Sequence, residues 1–322
     1  MTPNLWSRAS SYVLAFSLTI VAAIVLAHAC DAFMVAHAAT LTYAHAAHPF
    51  TLDVMTAGPG MEIITGYVTA PSSTLTAWTM ATGDSLQVRN CDIAKMVKLL
   101  SLWGDNQAAG QLRVRSPKLH DNVRGITVNL NISDVVPEMP FGLSQRLTPQ
   151  DVLIAEQSGS ATAGDIESGS LLIFYEDLPG VNARFITPDQ LVKRGVNVKP
   201  IENTLALTTA GGYSGSEAIN AEEDLLKANT DYALLGYYTN AECCTLTWRG
   251  ADTGNLRVGG PGNEALKHVT GDWFRRLSLM FNLPLIPVIN SANKGNTFIE
   301  GVQDENGADP TVNSVFVELA PQ

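Results

Sequence analysis

The stretch Ile126-Thr-Val-Asn-Leu-Asn-Ile132 places an apolar residue at every even-numbered position and a polar residue between each pair. Successive side chains of a β-strand point to opposite faces, so this pattern predicts a half-buried antiparallel strand. Around it, short apolar runs such as Leu171-Leu-Ile-Phe-Tyr175 are separated by clusters of Gly, Pro, Asn, Asp and Ser. Such clusters are typical of turns, so the sequence predicts an all-β fold. Residues 221–228 and 264–280 are the two segments with helical patterns, and we expect short helices there between strands.

Two short motifs occur twice along the chain. Trp103 is followed by Gly110-Gln-Leu-Arg113-Val-Arg-Ser-Pro117, and Trp248 is followed by Gly254-Asn-Leu-Arg257-Val-Gly-Gly-Pro261. The pair Phe174-Tyr-Glu176-Asp-Leu-Pro179 and Phe316-Val-Glu318-Leu-Ala-Pro321 recurs at nearly the same separation. Because both motifs recur at nearly the same separation along the chain, they predict an internal duplication, in which Arg113 is equivalent to Arg257 and Glu176 to Glu318.

The duplication divides the chain into residues 55–194 and 195–322, after an N-terminal segment 1–54. With 322 residues in total, two domains are also the natural expectation from length. Each half has the size of an eight-stranded jelly roll or a large sandwich. We expect the joint between Ile186 and Asn203, where Pro188, Lys193-Arg-Gly195 and Pro200 interrupt regular structure.

Residues 1–54 differ from the rest in composition, because four of the six histidines and only three charged side chains lie there. The stretch from Tyr12 to Leu26 is apolar enough for a hydrophobic helix, preceded by Arg8 and followed by Ala27-His-Ala29. Three interpretations remain open: a signal peptide or membrane anchor, an extension that the working protein lacks, or a packed helix.

Composition argues against several classes of protein. The formal net charge is −11, with no run of Lys or Arg, so the chain is not expected to bind nucleic acid directly. The four cysteines, Cys30, Cys91, Cys243 and Cys244, lack zinc-site spacing and are expected to be ordinary thiols. We therefore expect neither a metal nor a cofactor.

Two short segments resemble catalytic motifs, but each lacks a residue that its motif requires. Asp252-Thr-Gly254 is the triplet of aspartic proteases, but the matching positions in the first half are Ala108-Ala-Gly110, without the second acid. Gly212-Tyr-Ser-Gly-Ser216 lacks the last glycine of a nucleophile elbow. The sequence thus indicates a structural protein rather than an enzyme.

Four repeated residues are the candidate subunit-contact or structural positions. Arg113 and Arg257 each stand between apolar neighbours, so each points to the polar face of a strand. There an arginine can bond a nearby carboxylate or anchor a subunit contact. Trp103 and Trp248 are expected to be core or rim aromatics, with stacking on a carbohydrate as the alternative.

The two β halves and their Gly-x-Leu-Arg-Val-x-x-Pro repeats resemble the double jelly-roll major capsid proteins of tailless icosahedral viruses with internal membranes. The small-coat, single-stranded DNA bacteriophages of that group are the most similar, over residues 55–322. The resemblance implies two tandem jelly-roll barrels, homotrimers with a pseudo-hexameric outline, and a place in the virion. Its implied partners are further copies, other capsid proteins and an internal lipid membrane. The alternative is a secreted or membrane-anchored adhesin or carbohydrate-binding protein.

Overall fold

The computed structural model describes residues 57–119, 123–131, 135, 137, 145–303 and 309–321. The described residues belong to one compact unit, Met55–Gln322. The expectations for residues 1–54, including the hydrophobic helix, therefore lie outside the described residues. Within the described residues, every helix is too short or too polar to span a bilayer.

In the first half, the described residues form nine strands in two sheets. Their bounds are β1 Ala57–Thr69, β2 Thr76–Ala77, β3 Thr79–Met80, β4 Val97–Asp105, β5 Gly110–Arg115, β6 Ile126–Leu130, β7 Gln145–Arg146, β8 Ile154–Ser158 and β9 Ile166–Pro179. One sheet has the order β3-β1-β9-β4-β7 and the other the order β2-β8-β5-β6. All neighbours within these sheets pair antiparallel, which agrees with the predicted all-β class.

In the described residues, the part of the chain after β9 contains nine further strands and three α-helices. Their bounds are β10 Phe185–Ile186, α1 Pro188–Arg194, β11 Gly195–Thr204, β12 Tyr213–Ala218, β13 Asp231–Thr239, β14 Cys243–Arg249, β15 Val258–Gly262, α2 Lys267–Thr270, α3 Trp273–Phe281, β16 Ile286–Asn290, β17 Phe298–Val302 and β18 Thr311–Leu319. The sheets have the orders β10-β16-β13-β18-β11 and β12-β17-β14-β15, again antiparallel throughout. This second half begins before the expected boundary at residue 195, because β10 joins its sheet.

The same strand order occurs in both halves. Setting aside β3 and β10, each an edge strand of a five-stranded sheet, and counting the equally short β2 and β7, each half has eight strands, numbered first to eighth along the chain. In each half one sheet is ordered first-eighth-third-sixth and the other second-seventh-fourth-fifth. The two sets of eight antiparallel strands thus share one chain order, which is read here from strand pairing rather than from sequence.

The sequence repeats agree with this equivalence only in part. Phe174 and Phe316 both lie on the eighth strand of their half, β9 and β18, and both are buried. The first motif was matched wrongly, because Arg113 lies on the fourth strand, β5, whereas Arg257 directly precedes the fifth strand, β15. A glycine turn followed by alternating apolar residues begins many short strands, so such a motif does not distinguish one strand from the next.

The sheet β3-β1-β9-β4-β7 is buried on both faces. Along β9, Leu171 and Ile173 pack into the core of the first half, whereas Leu172 and Phe174 pack into a core shared with the second half. On the far side, β14 lies against β4 and β9, and β15 lies against β1. A strand buried on both faces needs apolar residues at every position, which explains the continuous run from Leu171 to Tyr175.

Three local expectations require correction or refinement. Residues 221–228 are not helical, and their backbone bonds go to other segments, as where Lys227 N donates to the Tyr232 hydroxyl. Residues 264–280 do contain α2 and α3, preceded by a 3-10 turn. At the joint, the prolines do not prevent regular structure: Pro188 begins α1 behind a Thr187–Gln190 capping box, and Pro200 lies on the edge strand β11.

Candidate functional site: the joint between the halves

Asp84, on the loop between β3 and β4, is held by groups from both halves of the molecule. Its side chain is only 6% exposed. Within the first half, the Thr65 backbone N–H donates to Oδ2 at 2.7 Å. From the second half, the Tyr213 hydroxyl donates to Oδ2 at 3.1 Å and Arg257 Nη1 donates to Oδ1 at 2.9 Å. One buried carboxylate therefore connects β1 to the segments that begin β12 and β15.

Arg257 occupies the centre of this joint. Its Nε donates to Glu300 at 3.0 Å, and its guanidinium lies 3.9 Å from the centroid of the Tyr213 ring. Its backbone carbonyl accepts a hydrogen bond from Ile63 N at 2.8 Å. A planar guanidinium suits this combination of two carboxylates and an aromatic face, which an ammonium group would not match.

Glu300 is shared between two arginines of the second half. Arg249 Nη2 lies 2.6 Å from Oε1, and Arg257 Nε lies 3.0 Å from Oε2. Burial acts to raise the pKa of Glu300, but the hydrogen bonds from Arg249 and Arg257 outweigh it and hold the pKa below its usual value. Glu300 is thus ionised at neutral pH, and it balances the charge of Arg257.

Arg113 has a different setting, within one sheet of the first half. It lies opposite Glu156 in the β5–β8 ladder and pairs with it at 2.7 Å, while Arg115 pairs with the same carboxylate at 3.0 Å. Hydrogen bonds, first from Arg115 and then from Arg113, lower the pKa of Glu156. As predicted, Leu112 and Val114 point into the core and Arg113 points to the opposite face.

The two tryptophans are both fully buried, but in different places. Trp103 lies at the joint, where its Nε1–H donates to the Cys244 carbonyl at 2.8 Å and reaches Thr245 Oγ1 at 3.1 Å. Trp248 lies in the core of the second half, donating to Ser314 Oγ at 3.2 Å. Neither ring is accessible to a sugar, so the stacking alternative for these residues is wrong.

A chain of hydroxyl groups connects Trp103 to Asp84 across the joint. The hydroxyls belong to Thr245, Ser170, Thr65 and Tyr213, with successive oxygens 2.6 to 2.9 Å apart. Thr65, Ser170 and Thr245 have no exposed surface, and Tyr213 is partly buried. Sequence reasoning missed these residues, although their signal was a hydroxyl side chain inside otherwise apolar strands.

A polar cleft of about 380 Å³ opens beside Asp84. Glu62 and Arg89 line it, and Arg89 Nε donates to Glu62 at 2.6 Å while the Tyr175 hydroxyl donates to the other carboxylate oxygen at 2.6 Å. Asp252, from the protease-like triplet, accepts hydrogen bonds from Asn290 N and Asn293 Nδ2 instead of lying near this cleft. In the part of the chain that the structure describes, no three His, Cys, Asp or Glu side chains converge as a metal site would require.

Comparisons with known proteins leave the family open. No protein-family model matches the sequence, and no curated protein matches it. Among solved structures, the chain is similar to one described as "Crystal structure of PBSX exported protein XepA". That similarity has a TM-score of 0.24 and 10% sequence identity, over 80% of this chain and 86% of the other. A score this low carries no argument about fold or function.

Proposed function

We propose that this protein is a viral coat subunit, a structural protein rather than an enzyme, built from two tandem jelly-roll barrels. The observation that carries the proposal is the repeated strand order, first-eighth-third-sixth facing second-seventh-fourth-fifth. This is the order of an eight-stranded jelly roll with two Greek keys, an architecture used by viral capsid proteins. Lectin domains and cupins use it as well, so the fold alone does not decide the function.

The joint supports a shell-building role over those other uses. Trp103, Asp84 and Arg257 connect the two halves through buried hydrogen bonds and an ion pair. Two barrels of like topology, packed through a continuous apolar core, form one stiff building block. Three such blocks around a symmetry axis would present six similar barrels in a pseudo-hexagonal outline, which tiles a closed icosahedral shell.

The proposed partners are therefore other copies of the chain, first in a homotrimer and then between neighbouring trimers of the virion. Further capsid proteins and an internal membrane belong to the same proposal. The net charge of −11 is compatible with a shell that does not grip nucleic acid. The rival adhesin or sugar-binding role loses its two candidate stacking residues, because Trp103 and Trp248 are buried.

Light scattering and negative-stain electron microscopy of the purified protein test the proposal. We expect trimers in solution, and hexagonal particles or closed shells at high protein concentration. Variants starting at Met55 and at Met1 should be compared, so that association through the apolar N-terminal segment is not mistaken for trimer formation. A strictly monomeric chain at high concentration from both starts would refute the coat-subunit role.

A further inference from the structure

The hydroxyl chain at the joint has two chemically different ends. One end is the Trp103 indole, which can only donate, and the other is the Asp84 carboxylate, which when ionised can only accept. The sequence of contacts runs Trp103 Nε1, Thr245 Oγ1, Ser170 Oγ, Thr65 Oγ1, Tyr213 hydroxyl and Asp84 Oδ2, at 3.1, 2.6, 2.8, 2.9 and 3.1 Å.

The ionised carboxylate determines the direction of every hydroxyl in the chain, because each hydroxyl has one proton to donate. Since Tyr213 gives its one proton to Asp84, its bond with Thr65 must use the Thr65 proton, and in the same way Ser170 donates to Thr65 and Thr245 donates to Ser170. A chain of hydrogen bonds pointing one way is strengthened by mutual polarisation, particularly in a buried setting. Thr65, Ser170 and Thr245 are fully buried, so water does not compete for these bonds.

A proton on Asp84 changes the end of the chain from an acceptor to a donor. The acid O–H then donates to the Tyr213 oxygen, and Tyr213 must donate to Thr65 instead. Each following hydroxyl reverses, and the last, on Thr245, points to Cys244 Sγ at 3.6 Å. Sulfur is a weaker acceptor than oxygen, so the reversed chain ends in a poorer bond, whereas the indole keeps both of its acceptors.

We propose that Asp84 and this hydroxyl chain form a proton-sensitive device, in which one proton taken up in mild acid reverses the hydrogen bonds that join the halves. The device does not depend on the coat-subunit role. The groups facing Asp84 are Thr65 and Glu62 from β1, Tyr213 from β12, and Arg257 before β15. Behind Arg257 lie Glu300 and Arg249, so with Asp84 neutral the two arginines share the one remaining carboxylate.

Asp84 titrates within the range of pH in which unfolding can be measured. Burial raises the pKa of Asp84 from 3.8 to about 6, against the opposing effects of the Thr65 hydrogen bond, Arg257 and Tyr213. Because the folded pKa of this acid lies above the unfolded one, the folded state binds the proton more tightly. The contribution of Asp84 to stability therefore increases as the pH falls through about 6 towards 4, and acid strengthens folding at this one group.

The first experiment measures unfolding by urea from about pH 7.5 to about pH 4 for the full chain, Asp84→Asn and Asp231→Asn. The ratio of folding equilibrium constants, wild type over Asp84→Asn, should rise by about 50-fold on acidification. Asp231→Asn is the matched control with the opposite sign. The Arg184 hydrogen bond holds the pKa of Asp231 below its usual value, so the corresponding ratio should fall in acid.

The second experiment tests the relay itself, and it remains decisive if Asp84→Asn fails to fold. The indole N–H band of Trp103, identified by difference from Trp103→Phe, is followed by ultraviolet resonance Raman spectroscopy across the same pH range. In the wild type it should shift with a midpoint near pH 6. In Tyr213→Phe, which lacks one link of the chain, the shift should disappear. A Trp103 band that does not respond to pH in the wild type, or that responds equally in Tyr213→Phe, would overturn the proposal.

Discussion

Replacing Trp103 by Phe tests whether the joint couples the two halves. The substitution keeps an aromatic ring but removes the indole N–H, leaving the Cys244 carbonyl without that donor in a fully buried site, whereas Thr245 Oγ1 keeps its bond with Ser170. Each unsatisfied buried group costs about 1–3 kcal/mol. The edge contact with the Trp273 ring, at 6.4 Å between centroids, contributes about 0.5–1.5 kcal/mol more. Since these contributions overlap, we expect the free energy of unfolding to fall by about 2–4 kcal/mol.

Trp248→Phe is the matched control, because it also removes one buried indole N–H, here bonded to Ser314 within the second half. Urea midpoints give the two stability losses, and amide hydrogen exchange shows where protection is lost. Trp103→Phe should speed exchange in β4 and β9 as well as in β14. Trp248→Phe should speed exchange only in the second half. The same exchange pattern in both variants, or a loss below about 1 kcal/mol for Trp103→Phe, would show that the joint does not couple the halves.

Three further predictions concern the ion pairs, the thiols and the N-terminal segment. Arg257→Lys should lower the free energy of unfolding by at least about 2 kcal/mol, since it disrupts contacts to two buried carboxylates and to the Tyr213 ring. Arg113→Lys should lower it by less than about 1 kcal/mol, because Glu156 keeps its ion pair with Arg115. Equal urea midpoints for these two variants would contradict the assigned roles. Burial raises the pKa values of Cys243 and Cys244, so a thiol reagent at neutral pH should label these two residues only when the protein unfolds. Labelling is measured by peptide mass spectrometry, and rapid labelling of the native protein would contradict the burial of these thiols. The intact mass of assembled particles should correspond to a chain lacking residues 1–54, and a full-length mass would favour a membrane-anchored protein.

The sequence predicted a duplication from two motifs, and only one of these motifs falls on strands at the same place in the chain order. Phe174 and Phe316 lie within long, largely apolar strands, and each is followed two residues later by a glutamate, so the match covers much of a strand. The motif around Arg113 and Arg257 carries only a turn and the start of a strand. Both halves contain several such starts, and the wrong pair was therefore matched.

By itself, the sequence determined the β class and the faces of individual strands, since a period of two residues requires only local alternation. The inward positions of Leu112 and Val114 follow from that period. Only the tertiary structure decided which sheet faces which, and hence that Trp103 meets Thr245 and that Asp84 meets Arg257. These partners come from different halves of the chain, and alternation specifies that a face is buried without specifying what covers it. The hydroxyl chain at the joint and the raised pKa of Asp84 both arise from that packing.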